Sequence, residues 1–228
     1  MTDELVFFVD VDNTLLDNDR LKEDLGDRIE EMAGTKRERL FWRVYEDVRD
    51  EEGYVDYPGT VKRFGEVTGD RDLEKRLADM MFSWPFRKYL YPGALETIAH
   101  LRTLGRVVIL SDGDTVYQPL KIRESGLEAA VDRAVVISVH KEEQIGSVIR
   151  LYPAHHYVII DDKPRILAVL ARECTADFTT VLVRQGSYAS HACDYEPRPD
   201  IIVDRIGDLR TFTAEQFLRP QQTAGATH

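Results

Sequence analysis

Short runs of uninterrupted apolar residues recur along this chain, and they leave few folds open to it. They are Val6-Phe7-Phe8-Val9, Val107-Val108-Ile109-Leu110, Ala134-Val135-Val136-Ile137-Ser138-Val139, Tyr157-Val158-Ile159-Ile160, Thr180-Val181-Leu182-Val183 and Ile201-Ile202-Val203. A strand with one wet face alternates apolar and polar residues, and these do not. Strands of this kind are buried on both faces, as happens when helices cover both sides of a parallel sheet. From Tyr91-Pro92-Gly93 onward the intervening segments carry helical spacing. Leu95, Ile98 and Leu101 precede a stop at Gly105, a helix runs to Gly126, and Ile145 and Val148 mark the next. Pro164 opens a helix carrying Ile166, Leu167 and Leu170. Glycine just past a helix and proline in its first turn are the expected punctuation. The prediction is an α/β fold with a parallel sheet.

Between Leu16 and Tyr91 the pattern changes, and no strand is predicted. Leu21, Leu25, Ile29 and Met32 form one apolar stripe; Leu40, Val44 and Val48, flanked by Phe41 and Tyr45, form a second. Val61, Phe64 and Val67 lie on a shorter helix with Pro58 near its start, and Leu73, Leu77 and Met80 on a fourth that ends near Pro85. Residues 16–91 therefore read as a helical unit inserted after the first strand, with 1–15 and 92–218 forming the α/β core and 219–228 a frayed tail. Trp42 and Trp84 read as packing within the insertion.

The polar residues just past the apolar runs carry the chemistry. The first strand delivers Asp10, Asp12 and Thr14; the second, Ser111 and Asp112; the third, Lys141; the fourth, Asp161 and Asp162. In a parallel sheet all of these fall on the carboxyl edge, where α/β proteins bind ligands. Asp10 and Asp12 are two apart, so an extended path points both the same way. Carboxylates from the first and fourth strands are hard oxygen ligands suited to Mg²⁺. A hydroxyl and an ammonium opposite them supply donors for a tetrahedral anion, and the lysine offsets repulsion among the aspartates. An aspartate can attack phosphorus and form an aspartyl-phosphate. A second carboxylate can protonate the leaving oxygen and then activate water.

With Asp10-Val11-Asp12-Asn13-Thr14 as a DxDxT motif, Ser111 as the second motif, Lys141 as the third and Asp161-Asp162 as the acidic fourth, the chain resembles the haloacid dehalogenase-like (HAD) superfamily. The helical insertion falls where that superfamily places its C1 cap. The resemblance implies a Rossmann-like core, Mg²⁺ dependence, Asp10 as nucleophile and Asp12 as general acid/base. Metal ligands would be Asp10, the backbone carbonyl of Asp12, Asp161 and Asp162, with Asp162 ahead of Asp161. Phosphate-binding groups would be Thr14, Ser111, Asp112 and Lys141. The aspartate at position 12 favours phosphoryl transfer, because the dehalogenase members lack that second acid. Two departures stand out: Glu142 follows Lys141 where proline is common, and Ile160-Asp161-Asp162-Lys163 lacks the glycine and the later acid of the commoner fourth motif.

The expected activity is hydrolysis of a small phosphorylated metabolite by a Mg²⁺-dependent phosphatase. The alternatives are phosphotransfer or haloacid dehalogenation on the same fold, or a binding module without catalysis. A closing cap favours small substrates, and Arg43, Trp84, Arg87 and Lys88 are candidates to reach them from the insertion. A formal net charge of -11 argues against nucleic acid as a partner. Two cysteines, Cys174 and Cys193, without CxxC spacing read as reduced thiols. Neither a signal peptide nor a membrane span is predicted, which gives a cytoplasmic expectation, as monomer or homodimer. Lys121 lies mid-helix and is placed second to Lys141 as a phosphate ligand. His155-His156 read as a turn before the fourth strand, not as a zinc site.

Overall fold

The structure, a computed structural model, describes residues 3–174, 176–188 and 195–218. Its strands are β1 (Asp3–Val9), β2 (Arg106–Asp112), β3 (Val135–Ser138), β4 (Ala154–Asp161), β5 (Phe178–Val183) and β6 (Ile201–Val203). They form one six-stranded sheet in the order β3-β2-β1-β4-β5-β6. Every pairing is parallel. The chain starts at the centre of the sheet, builds outward through β2 and β3, then crosses back to β4 on the other side of β1. That reversal leaves a crevice at the carboxyl ends of β1 and β4, the place where such sheets bind ligands.

Helices cover both faces, which is why the strands are apolar throughout. Between β1 and β2 run α1 (Asn18–Ala33), α2 (Thr35–Glu52), α3 (Tyr57–Thr68), α4 (Arg71–Phe82), a 3₁₀ turn at Phe86–Tyr89 and α5 (Ala94–Leu104). After β2 come α6 (Tyr117–Ser125) and α7 (Leu127–Ala130); α8 (Lys141–Leu151) follows β3, α9 (Pro164–Glu173) follows β4, and α10 (Ala214–Leu218) closes the described chain. The period-two alternation of β1 divides the core. Leu5, Phe7 and Val9 pack with Ile98 and Leu101 of α5 and Phe217 of α10, in a layer continuous with the insertion. Val6 and Phe8 face Ile145, Val148, Ile166, Leu167 and Leu170 of α8 and α9. Each fully buried phenylalanine of β1 stabilises the sheet by roughly 1.5–3 kcal/mol.

The stripes of the insertion place its helices with small corrections. Leu21, Leu25 and Ile29 are buried on α1; Phe41, Val44, Tyr45 and Val48 on α2. On α3, Val67 is 58% exposed, and Tyr57, Thr60, Val61 and Phe64 make the inner face instead. On α4 the fully buried third residue is Met81 rather than Met80, which restores the i, i+4, i+8 line from Leu73 and Leu77. Two short segments join this unit to the sheet side by side: Asp17 N donates to Tyr89 O at 2.8 Å and Tyr91 N to Leu15 O at 3.0 Å.

His155 and His156 belong to β4, not to a turn. His156 is buried, with Nε2 3.0 Å from the Thr179 hydroxyl. An apolar-run criterion missed them because a satisfied imidazole is an acceptable strand residue. The predicted tail at 219–228 and Cys193 lie outside the described residues. No helix among the described residues is long and apolar enough to cross a membrane.

Candidate active site

Asp10 continues β1 by one residue, its N–H donating to Ile160 O at 3.0 Å. The chain then folds into a tight loop, with Leu15 N and Leu16 N both donating to Val11 O at 2.9 Å and Asn13 in a left-handed conformation at φ 61°. Asn13 secures the loop to α1: its Oδ1 accepts from Asn18 N at 3.0 Å and Asp19 N at 3.2 Å. Gly186 packs directly on it. A Cβ there would lie 2.5 Å from the Asn13 side chain, and φ is +67°, so only glycine fits without strain. Gln185 completes the support, donating to Thr14 O at 3.1 Å and accepting from Ile206 N at 2.8 Å.

The carboxyl ends of β1 and β4 and the start of α8 meet at one buried cluster. Lys141 Nζ lies 2.5 Å from Asp10 Oδ1. It also forms an ion pair with Asp161 Oδ2 at 2.6 Å. The other oxygen of Asp10 accepts from the Thr14 hydroxyl at 3.3 Å. Asp161 Oδ1 accepts from Lys163 N at 2.8 Å. Both oxygens of Asp162 are buried with no hydrogen-bond partner among the described residues. Asp10, Asp161 and Asp162 each bring an oxygen within 4.8 Å of the others. Burial, with further push from Asp161 and against the pull of Lys141, raises the Asp10 carboxyl to about 6. Burial and the charges of Asp161 and Asp10 push Asp162 well above the usual carboxylate range. Burial alone would lower Lys141, yet Asp10, Asp161 and Asp112 hold it well above the usual lysine range. An orphaned buried carboxylate among like charges is an oxygen donor set that fits a divalent cation.

Asp12 faces a different partner. Lys121 Nζ lies 2.6 and 2.8 Å from its two oxygens, and Gln118 Nε2 bridges Asp12 Oδ2 at 3.3 Å to Ser111 Oγ at 2.8 Å. Lys121 is 2% exposed, so this is a buried arrangement and not a surface pair. Mid-helix position counted against Lys121 in the sequence. The fold gives it a partner at the site all the same, because α6 brings Gln118 to Ser111 and Lys121 to Asp12, past the ends of β2 and β1. The Gln118–Lys121 spacing of i, i+3 on one helix face was the available signal. Asp114 starts that helix by accepting from Val116 N at 2.8 Å and Tyr117 N at 2.6 Å.

Asp112 takes a positioning contact where phosphate binding was expected. Its Oδ1 accepts from Lys141 N at 2.9 Å, and Oδ2 lies 3.9 Å from Lys163 Nζ. A carboxylate cannot donate to an anion, so its side chain is placed to fix the Lys141 turn. Above these groups opens a cleft of about 550 Å³ between the sheet edge and the insertion. Asp12, Asp112, Lys121 and Lys163 line it from the sheet side and Lys22, Tyr45 and Tyr57 from the insertion. Arg43, Trp84, Arg87 and Lys88 do not line it.

A haloacid dehalogenase-like hydrolase from Burkholderia xenovorans LB400 is 40% identical to this chain, over 93% of it and 97% of that protein, with a TM-score of 0.85. The chain belongs to the haloacid dehalogenase-like hydrolases. Two other HAD-fold structures match it over 92% of its length and 97% of theirs. They are L-2-haloacid dehalogenase from Xanthobacter autotrophicus, at 20% identity and TM-score 0.58, and the HAD-hydrolase YfnB from Bacillus subtilis bound to magnesium, at 16% and 0.62. At those identities the likeness speaks for the fold. No family profile and no curated protein matches the chain. This HAD-like hydrolase thus brings Asp10, Asp12, Thr14, Ser111, Lys141, Asp161 and Asp162 to one sheet edge, and beside them Lys121, placed second in the sequence, and Gln118, which the sequence reading did not single out.

Proposed function

We propose that this HAD-like hydrolase is a Mg²⁺-dependent phosphatase that hydrolyses a small phosphomonoester through an aspartyl-phosphate. The observation that carries the reading is the second acid: Asp12 lies at the cleft, two residues beyond the buried Asp10, and is gripped on both oxygens by Lys121. In attack on a halogenated carbon the halide departs as a stable anion and needs no proton from a second acid beside the nucleophile. Displacement of an alkoxide from phosphorus does, because the leaving oxygen must be protonated.

Lys141 holds Asp10 Oδ1, which leaves Oδ2, beside the Thr14 hydroxyl, to attack phosphorus. The P–O ester bond breaks as the Asp10–P bond forms, and Asp12, which takes up a proton as the anionic ester enters beside it, gives that proton to the departing oxygen. Asp12 then takes a proton from water, the water oxygen attacks phosphorus, and phosphate leaves with Asp10 restored. Ser111 and Lys141 offer donors to the transferring oxygens. Asp10, Asp161 and Asp162 would hold Mg²⁺, with the Asp12 carbonyl as a further ligand; when bound, the ion offsets the charge of the carboxylates and of the phosphoryl group. Residues 16–91 act as a cap that closes over the cleft and excludes water.

The test is a panel of phosphorylated metabolites and p-nitrophenyl phosphate, assayed with Mg²⁺ and with chelator, beside halide release from 2-chloropropionate. Phosphate release that needs Mg²⁺ and is abolished in Asp10→Asn supports the reading. Equal activity of Asp10→Asn, or chelator-insensitive halide release without phosphatase activity, overturns it.

A further inference from the structure

On the insertion side of the cleft, Lys22 has no carboxylate paired with it among the described residues. Lys22 lines the cleft from α1, one helical turn beyond Asn18, whose side chain touches Lys121 at 3.3 Å. Its ammonium lies over the ring of Tyr45, 4.6 Å from the centroid, and 6.0 Å from that of Trp42. The acids around it are already engaged. Asp19 binds Asn13 Nδ2 at 3.1 Å and Ser187 N at 2.7 Å, Glu46 binds Arg49 at 3.0 Å, and Asp12 binds Lys121. No ion pair to Lys22 is present among the described residues. An ammonium withdrawn from water without a counter-ion is unfavourable, and aromatic faces offset only part of the loss. Burial accordingly pulls Lys22 below the usual lysine range, against the opposing pull of Glu46, Asp19 and Asp12.

We propose that Lys22, seated on Tyr45 and Trp42, is a subsite for a carboxylate on the substrate, so that the phosphomonoester is that of a small hydroxy acid. This rests on the phosphatase reading for the reaction but not for the binding. One unpaired ammonium matches one unit of negative charge. A second phosphate would call for more, and Arg49, the other cation that lines the cleft from the insertion, is committed to Glu46. Lys22 stands one turn along α1 from Asn18, about 6 Å by helical rise, and the Asn18 side chain meets the Lys121 that holds Asp12, so the ammonium and the acid share one stretch of the cleft.

The experiment compares 2-phosphoglycolate with its neutral analogue 2-hydroxyethyl phosphate, and with ethylene glycol bisphosphate, in wild type, Lys22→Met and Lys22→Arg. Phosphonoacetate and ethylphosphonate, which are not hydrolysed, are titrated in parallel by calorimetry in Mg²⁺ buffer. The expected result is a kcat/KM preference of about 10- to 100-fold for the carboxylate ester in wild type, carried in KM, as befits a charged hydrogen bond. In Lys22→Met that ratio falls toward one, and Lys22→Arg restores part of it. Phosphonoacetate binds tighter than ethylphosphonate in wild type by a similar factor. If wild type hydrolyses the esters without preferring the carboxylate, or prefers the bisphosphate, the subsite is wrong while the phosphatase stands. If no ester is hydrolysed yet phosphonoacetate retains its Lys22-dependent advantage, the phosphatase fails and the subsite stands. The wild-type comparison decides the matter even if Lys22→Met does not fold.

Discussion

Asp162→Asn is expected to stabilise the metal-free protein while removing its response to Mg²⁺. Both Asp162 oxygens are buried and unpartnered, and one lies within 4.8 Å of oxygens from Asp10 and Asp161. At that separation and an effective dielectric of 20, each like-charged neighbour opposes it by roughly 3–4 kcal/mol. Lys141 and Lys163 cancel much of this, leaving a net penalty of about 1–3 kcal/mol, the usual range for an unsatisfied buried polar group. Asparagine removes the charge at nearly constant volume. In EDTA at pH 7 the variant should therefore melt about 2–12 °C above wild type, at 2–4 °C per kcal/mol for a chain of this size. The folded Asp162 carboxyl is raised, so its penalty is absent below the unfolded value of 3.8 and grows as pH rises from there toward the folded value. The gap should accordingly shrink as the pH is lowered from 7 toward 4. Saturating Mg²⁺ should reverse the order: at a thousand times Kd the wild type gains about 4.1 kcal/mol, and the variant little. Differential scanning fluorimetry in both buffers reads all of this. A variant less stable than wild type in EDTA, or one with an undiminished Mg²⁺ shift, would show that Asp162 is a satisfied structural carboxylate and not a metal ligand.

Other consequences arise from the same geometry. Lys141→Met leaves Asp10 and Asp161 without their shared ammonium and should destabilise by about 3–5 kcal/mol, measured by urea unfolding; a loss under about 1 kcal/mol would contradict the ion-pair assignment. Lys121→Met releases Asp12, so kcat for p-nitrophenyl phosphate should fall about 10- to 100-fold while Mg²⁺ still raises the melting temperature. A fall in both would place Lys121 in the metal cluster instead. The Tyr117 hydroxyl is buried with no partner, so Tyr117→Phe should be neutral or stabilising by up to about 1–2 kcal/mol; destabilisation of that size would reveal a hidden hydrogen bond.

The apolar runs were enough to announce a parallel sheet, because burial on both faces is a property of each strand alone. Asp10, Asp12, Lys141, Asp161 and Asp162 were legible for a related reason. Each comes just after one of those runs, and parallel strands all end on the same edge. The helical unit between Leu16 and Tyr91 was equally visible from period, with slips only where a stripe was narrow, as at Val67 and Met80.

What the chain could not show along its length was which helical side chains turn toward that edge. Lys121 is an ordinary mid-helix lysine until α6 is laid over the ends of β1 and β2, and then its ammonium closes on Asp12. Lys22 is one charge among many on α1 until α2 brings Tyr45 and Trp42 beneath it and engages Glu46 elsewhere. Asp112, a plausible phosphate contact by its place after β2, is turned instead toward the Lys141 backbone. Periodicity fixes which residues lie inside an element, because burial is local to that element. The direction and pairing of a charge depend on which other elements pack beside it. The sheet edge and its aspartates were therefore written in the sequence, while the grip on Asp12 and the unpaired ammonium of Lys22 arose only when the insertion met the sheet.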